Sequence, residues 1–505
     1  MMLAPTKRLD EKRLSEVSEF VAAHMGLYFP RERLRELERG IGSAAADFGF
    51  NDVEACVQWL LSAPLTKAQI EILASHLTIG ETYFFRDHAL FELLREHVVP
   101  EIVRQRLGKT QQLRVWTAGC STGEEPYSLA ILLSEIVPGL ATWHITMLAS
   151  DINPAFLRRA AAGLYTEWSF RNTPSWVKER YFHKVKDGRY ELMAQIRDRV
   201  TFSYLNLAED GYPSLLNNTN AMDLIFCRNV LMYFVPERAQ KAARNFYHCL
   251  VEGGWLIVSP AEASYLFSDF APVRFPSAVL YRKVSSSEFQ ASRFASSATT
   301  EPQVPRFKPQ PDFAQEVSGF GPVISNDNSK PETLNSEPSA DLYEQARQDY
   351  ERGRYAEAAQ KLARLSVDGR NDCKVMVLLT RVYANQGRLA EAVEWCEKAI
   401  VADKVNPAAH YLLATIQQEQ GRIQDAMVSL KRALYLDQNF VLPHFLLGNI
   451  SQRQGRRQES ERHFRNALAL LKSYRQDEIV PDSEGLTAGR LSEIIRCTAF
   501  WEKSA

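Results

Sequence analysis

No excess of either charge runs through these 505 residues: 60 basic side chains meet 61 acidic ones, for a formal charge of -1. The electrostatic ground for a nucleic-acid partner is therefore missing, because phosphates are neutralised by a surplus of Lys and Arg. The seven cysteines, at 56, 120, 227, 249, 373, 396 and 497, contain no C-x-x-C pair and no zinc-ligand spacing. That excludes the common zinc and dithiol patterns and makes a reducing cytoplasm the expected home. No apolar run reaches bilayer-spanning length, and Met1 to Arg13 carries charges where a secretory signal needs its apolar core. A soluble chain too long for one hydrophobic core is expected to fold as two or three domains.

Texture divides the chain. Residues 1–88 repeat apolar side chains at helical spacing over Leu9 to Met25 and Ile70 to Leu77, and Thr66 with Gln69 predicts a capping box. Residues 89–284 alternate strand-like and helix-like segments, with strands predicted at 113–117, 145–150, 200–207, 222–227, 255–259 and 278–283. This pattern predicts a parallel sheet with helices on both faces and a final antiparallel hairpin. Residues 285–338, rich in Ser, Pro, Asn and Thr, are expected to be a disordered linker. Beyond them Gly353, Gly387, Gly421 and Gly455 recur every 34 residues, each followed by Arg. Five positions after them stand Ala358, Ala392, Ala426 and Ser460, and Ala399, Ala433 and Ala467 follow later in their repeats. The period predicts four tetratricopeptide repeats over 339–474, closed by a capping helix within 475–505. Such repeats present a groove to a protein partner, in which His410, Tyr411 and His444 read as packing or general groove residues.

The segment Trp116 to Tyr127 places a glycine-bearing turn between an apolar strand and an acid-rich helix start. The spacing of Gly119 and Gly123 fits neither G-x-G-x-x-G nor the Walker loop, which also needs a lysine. Ser121, Glu124 and Pro126 predict a helix opening at Ser121. Glu124 and Glu125 then lie at a helix N-terminus, where the dipole favours anionic side chains and a bound phosphate would be repelled. A cationic nucleoside without phosphates fits, and S-adenosylmethionine is one. Asp151 closes the second strand before an Asn153 cap and Pro154; an acid there can hold ribose hydroxyls, or merely cap a turn. Arg228 and Asn229 end another apolar strand in the same abrupt way.

Taken in order, Thr82 to Arg86, Ala118 to Tyr127, Ala149 to Asp151 and Phe226 to Phe234 resemble the motifs of the CheR-type chemotaxis receptor methyltransferases, here joined to C-terminal tetratricopeptide repeats. The resemblance covers residues 1–284. It implies an α/β class I (Rossmann-like) methyltransferase at 89–284, an N-terminal helical domain at 1–88, a small β-subdomain near 183–200, and a C-terminal all-α solenoid. It implies methyl transfer from S-adenosylmethionine to glutamates on the cytoplasmic helical region of a methyl-accepting chemotaxis receptor. Carried over by position, Gly80, Thr82, Arg86, Gly119, Glu125, Asp151, Asn206, Leu207, Arg228 and Asn229 belong at the cofactor, and Arg86 and Tyr233 near the transferred methyl. Two departures stand out. Gly80 sits where the family commonly has Asn, and Pro260-Ala261-Glu262 replaces Gly-His-Ser-Glu, with Glu262 alone matching. The β-subdomain is shorter than in members that bind a receptor's C-terminal pentapeptide, which implies that this tether is not used. Arg31, Arg33, Arg35 and Arg39 lie where the family docks receptor helices, yet the interleaved Glu32, Glu36 and Glu38 equally describe a solvated face. The rival readings are a scaffold without turnover and a methyltransferase for a different protein or a small molecule. Since the methyltransferase motifs end before residue 285, residues 1–284 are expected to fold and bind cofactor alone.

Overall fold

The computed structural model describes residues 9–62, 65–209, 211–262, 264–284, 338–367 and 372–500. The expected linker at 285–338 lies outside them but for its last residue.

Four helices, Glu11–Met25, Leu34–Asp47, Val53–Leu60 and Lys67–Leu77, form the N-terminal domain. The first buries Leu14, Val17, Val21 and Met25, one face at helical spacing, against Leu37, Ile41 and Leu73. It starts where the Asp10 side chain accepts from the Arg13 N–H at 2.7 Å and stops at Gly26, whose φ of 74° a residue with a Cβ adopts only at a cost. The predicted capping box forms: the Thr66 N–H donates to Gln69 Oε1 at 2.8 Å and the Gln69 N–H to Thr66 Oγ1 at 3.4 Å.

Ten strands follow: β1 (Gln112–Ala118), β2 (His144–Asp151), β3 (Leu164–Tyr165), β4 (Phe182–Lys184), β5 (Tyr190–Leu192), β6 (Val200–Tyr204), β7 (Met222–Cys227), β8 (Leu250–Val258), β9 (Ala271–Arg274) and β10 (Val279–Arg282). Seven make one sheet in the order β6-β2-β1-β7-β8-β10-β9, parallel through β8 and antiparallel beyond it. The order reverses beside β1, so a crevice opens at the carboxyl ends of β1, β2 and β7. Three strands differ from the sequence reading, and of these β6 ends at Tyr204 rather than at residue 207. Edge strand β9 was not expected, because it holds Pro272 and is too short for its alternation to register. β8 begins earlier than predicted because Gly253 and Gly254 break the apolar run that marks a buried strand. The small subdomain is a separate sheet, β3-β5-β4, which reaches back to Leu164.

The C-terminal part is four helix pairs: Pro338–Glu351 with Tyr355–Val367, Cys373–Asn385 with Leu389–Ala402, Pro407–Glu419 with Ile423–Leu436, and Val441–Arg453 with Arg457–Leu471; helix Ala488–Phe500 packs on the last. The periodic glycines sit in the turn within each pair at φ of 71°, 73°, 76° and 70°, the left-handed conformation that explains the period. Ala358, Ala392, Ala399, Ala426, Ala433 and Ala467 are fully buried where paired helices approach.

These turns also dock. A Cβ on Gly353 would lie 2.3 Å from His248 Nδ1, one on Gly387 3.2 Å from Val251 Cγ1, and one on Gly421 2.9 Å from His144 Nδ1, whereas Gly455 has nothing within 4 Å. Three repeats therefore abut the amino-terminal end of the sheet, opposite the crevice. Arg114, buried in β1, faces Glu419 at 3.9 Å, and Leu215 packs among Leu389, Leu412, Leu413 and Ile416. The two halves share a buried interface, where the sequence suggested modules joined only by a linker. No helix among the described residues is long and apolar enough to cross a membrane.

Candidate functional site

The turn after β1 bends through three left-handed residues, Gly119 (φ 80°), Ser121 (φ 49°) and Gly123 (φ 94°). The helix opens at Glu124 rather than at the expected Ser121. Ser121 lies two residues before the N-cap, Gly123, and its N–H instead donates to Asp151 Oδ2 at 2.8 Å. Glu124 turns inward instead, accepting from Thr122 Oγ1 at 2.6 Å and Ser169 Oγ at 3.0 Å. Gly119 has no room for a side chain, since a Cβ would meet Val230 Cγ2 at 2.3 Å.

Asp151 ends β2 inside the crevice. Its Oδ1 accepts the Asn153 N–H at 2.8 Å while Oδ2 takes that of Ser121, so both oxygens are fixed and each retains acceptor capacity. Burial raises its pKa to about 6, against the opposing pull of those N–H bonds. Asn153 caps helix Pro154–Ala162 as predicted, accepting from the Ala155 N–H at 2.9 Å. Its amide also donates to Thr78 Oγ1 at 2.9 Å, which ties the sheet to the N-terminal domain.

That domain roofs the crevice. The Tyr28 N–H donates to the Tyr233 carbonyl at 2.7 Å, the Val235 N–H to the Gly26 carbonyl at 3.1 Å, and Asn206 Nδ2 to the His24 carbonyl at 2.9 Å. Between roof and sheet lies a cleft open to solvent, whose empty space with the mouth included is about 770 Å³. The predicted residues Gly119, Asp151, Asn206, Leu207, Asn229 and Tyr233 line it. Gly80, Thr82, Arg86, Glu125 and Arg228 are not among its lining residues.

Three of those five form an adjoining cluster. Arg228, nearly buried, donates to the Arg86 carbonyl at 3.1 Å, to Glu125 Oε2 at 3.4 Å and to Asp87 Oδ2 at 3.0 Å. Burial pushes the Glu125 carboxyl up while Arg228 and Arg86 draw it down. The Arg86 side chain itself donates to the Glu81 carbonyl at 2.8 Å, and Thr82 offers its carbonyl to Arg171 at 3.3 Å. Tyr233 instead carries Arg33 over its ring at 5.2 Å. Gly80 lies against Phe156, whose Cζ would be 2.6 Å from an added Cβ, so the ring fills the space that a side chain would need. Glu262 resolves the second departure: Oε1 accepts the Val230 N–H at 2.9 Å and Oε2 the Ser259 N–H at 2.9 Å, joining the ends of β7 and β8 behind Gly119.

Sequence reasoning missed Arg33, Phe156 and Ser121 as cleft residues. Arg33 was hidden in a run of alternating charge, and Phe156 lies in a helix whose cap alone was informative. The Ser121 hydroxyl is buried without a hydrogen-bond partner, an orphan that a ligand hydroxyl or amine can satisfy. Arg33 is the only cation among the described lining residues, which otherwise pair apolar Leu27, Ile79, Ile152 and Leu205 with one carboxylate and two amides. This set fits a nucleoside with free hydroxyls and no phosphate.

Residues 80–270 match the family model described as CheR methyltransferase, SAM binding domain. Chemotaxis protein methyltransferase 2 of Vibrio cholerae is 38% identical over 216 residues, which are 43% of this chain and 73% of that protein. This chain belongs to the CheR methyltransferase family. Chemotaxis protein methyltransferase 1 of Pseudomonas aeruginosa is 34% identical over 217 residues, 42% of this chain and 77% of that one. A chemotaxis protein methyltransferase of Borreliella burgdorferi is 27% identical over 256 residues, 50% and 89% of the two chains. Tetratricopeptide repeat models match 375–401, 407–440 and 444–478, the last three helix pairs. As a CheR-family methyltransferase, the protein takes its methyl group from S-adenosylmethionine.

Proposed function

We propose that this protein methylates glutamate carboxylates on the cytoplasmic helical region of a chemotaxis-type receptor, forming methyl esters. The observation that carries the reading is Asp151, a buried carboxylate aimed by two backbone N–H groups at the crevice of a CheR-family sheet. Asp151 holds the ribose hydroxyls, and Gly119, Asn206, Leu207 and Asn229 complete the cofactor's walls. Bound S-adenosylmethionine supplies an electrophilic methyl on a sulfonium. A glutamate has an ordinary pKa of ~4.3, so at neutral pH the nucleophile is already ionised and no general base is needed.

The protein's work is placement: the carboxylate oxygen must stand ~3 to 3.5 Å from the methyl carbon with water excluded. Arg86 orients that carboxylate, with Glu125 and Arg228 bracing its backbone. Tyr233 offers a ring face to positive charge, a role supported by the Arg33 guanidinium already stacked on it. The repeats bind a second protein. The test is tritiated-methyl transfer to a receptor cytoplasmic fragment, recovered as base-labile ester. A full-length protein that binds cofactor but leaves the fragment unlabelled would overturn the receptor assignment.

A further inference from the structure

The side of the solenoid formed by the first helix of each pair is met by two segments of the protein's own chain. One is the acidic turn before the last helix. Arg381 Nη2 donates to Asp482 Oδ1 at 2.9 Å and Nη1 to Glu484 Oε1 at 3.3 Å, and the Tyr350 hydroxyl reaches the same Oε1 at 3.4 Å. The other comes from the methyltransferase domain. The Leu215 N–H donates to Glu484 Oε2 at 2.8 Å, and the Leu215 side chain fills an aliphatic seat made by Leu389, Leu412, Leu413 and Ile416. Glu484 thus joins the first repeat, the second repeat and the methyltransferase domain through one carboxylate, 14% exposed. Asp482 and Glu484 hold φ of 60° and 55°, left-handed values that a non-glycine residue adopts only at a cost. Surrounding contacts must impose them.

From Leu215 the chain leads straight to the cofactor cleft. The Ser214 N–H is held by Thr219 Oγ1 at 3.0 Å, and the Tyr212 hydroxyl donates back to the Leu207 carbonyl at 2.8 Å. The Tyr212 ring stands edge-on to Trp116 at 5.5 Å, so this link is rigid on both sides. Leu205, Asn206 and Leu207 are cleft wall. The segment is fixed at one end by the solenoid and at the other by the cofactor site, and among its described residues the Tyr212 hydroxyl, bonded to the Leu207 carbonyl, ties the two ends together.

We propose that Glu484 is a positioning residue for the cofactor cleft: by fixing Leu215 it holds the 205–207 wall in its binding geometry. The repeats thereby set cofactor affinity within their own chain. This rests on the reading of the cleft as the S-adenosylmethionine site. The experiment is calorimetry with S-adenosylhomocysteine on the full chain, alongside hydrogen exchange over 205–216. Glu484→Ala should weaken binding about three- to tenfold and speed exchange over 205–216. Glu484→Gln, which keeps an acceptor for the Leu215 N–H, should restore affinity to within about twofold of wild type. Asp482→Ala breaks an Arg381 contact but not the Leu215 bond and should bind as wild type does. Leu215→Ala, which empties the aliphatic seat without touching the carboxylate, should weaken binding in the same direction and serves if Glu484→Ala does not fold. Wild-type affinity in folded Glu484→Ala or Leu215→Ala protein overturns the proposal. Failure of the unmutated protein to bind the ligand overturns the cofactor reading itself and the proposal with it.

Discussion

Asp151 makes a prediction that a simple structural role would not. Its carboxylate accepts one backbone N–H on each oxygen and still has acceptor capacity for a ligand. An amide cannot reproduce this, because Asp151→Asn has one acceptor and one donor for two inward N–H groups. One N–H is then left buried and unpaired, at about 1 to 3 kcal/mol, and the charge-assisted bonds to the ligand, worth roughly 1.5 to 3 kcal/mol, are weakened. Affinity for S-adenosylhomocysteine should fall tenfold or more, since ~1.4 kcal/mol corresponds to a factor of ten. The pH dependence follows from burial, which lifts this carboxyl to about 6. Because the folded value exceeds the ordinary one, ionisation opposes folding. That penalty is absent below the ordinary carboxylate range and complete above about pH 6. Ligand hydroxyls draw on the ionised form, so binding is full above pH 6 and declines as pH falls through it, approaching about tenfold per unit. Calorimetry between pH 7 and 5 reads this directly, in a window below the titration of the ligand's amino group. In Asp151→Asn the dependence should vanish. A flat wild-type profile, or an unchanged slope in the variant, would refute the assignment of Asp151 to the ribose.

Arg86→Ala should lower kcat by on the order of 10² at saturating cofactor and receptor fragment, beyond any change in cofactor affinity; wild-type turnover would remove its orienting role. Glu262→Ala leaves the half-buried N–H of Val230 and the buried N–H of Ser259 without their acceptor, and should lower stability by about 1 to 3 kcal/mol in a denaturant titration. Gly353→Ala and Gly455→Ala both force alanine into a left-handed turn, at roughly 1 kcal/mol, but only Gly353 abuts His248. The first should therefore be less stable than the second by a further 1 to 3 kcal/mol or so, and equal losses would contradict the docking of the first repeat.

Much of this molecule is legible in its residues alone. The 34-residue glycine period gave the repeats because each turn requires φ near 70°, a local demand that the sequence must meet locally. Asn153 with Pro154 and Thr66 with Gln69 announced their helix starts for the same reason. The helix after β1 was misplaced because Ser121 looks like a cap, and its N–H partner is thirty residues away in Asp151. Gly80 reads as a missing hydrogen bond in the sequence, whereas Phe156 occupies that space, a fact of packing between a loop and a helix far apart in the chain. The contact between repeats and sheet left no trace in composition: Leu215, Arg114 and Glu419 are ordinary residues until the fold brings them together.

Solenoids of stacked repeats usually melt piecemeal, since each unit touches only its neighbours. Here three of four turns are seated on another domain, and the second and third cannot come apart without exposing Leu215 and stranding Arg114 and Glu419. Cooperativity is thus redistributed along the chain. All four repeats and the sheet should lose structure in a single calorimetric transition, because the turn after the fourth repeat is itself held, through Asp482 and Glu484, by Arg381, Tyr350 and Leu215. A heat-stressed population would hold scarcely any molecules with a folded solenoid on a molten sheet.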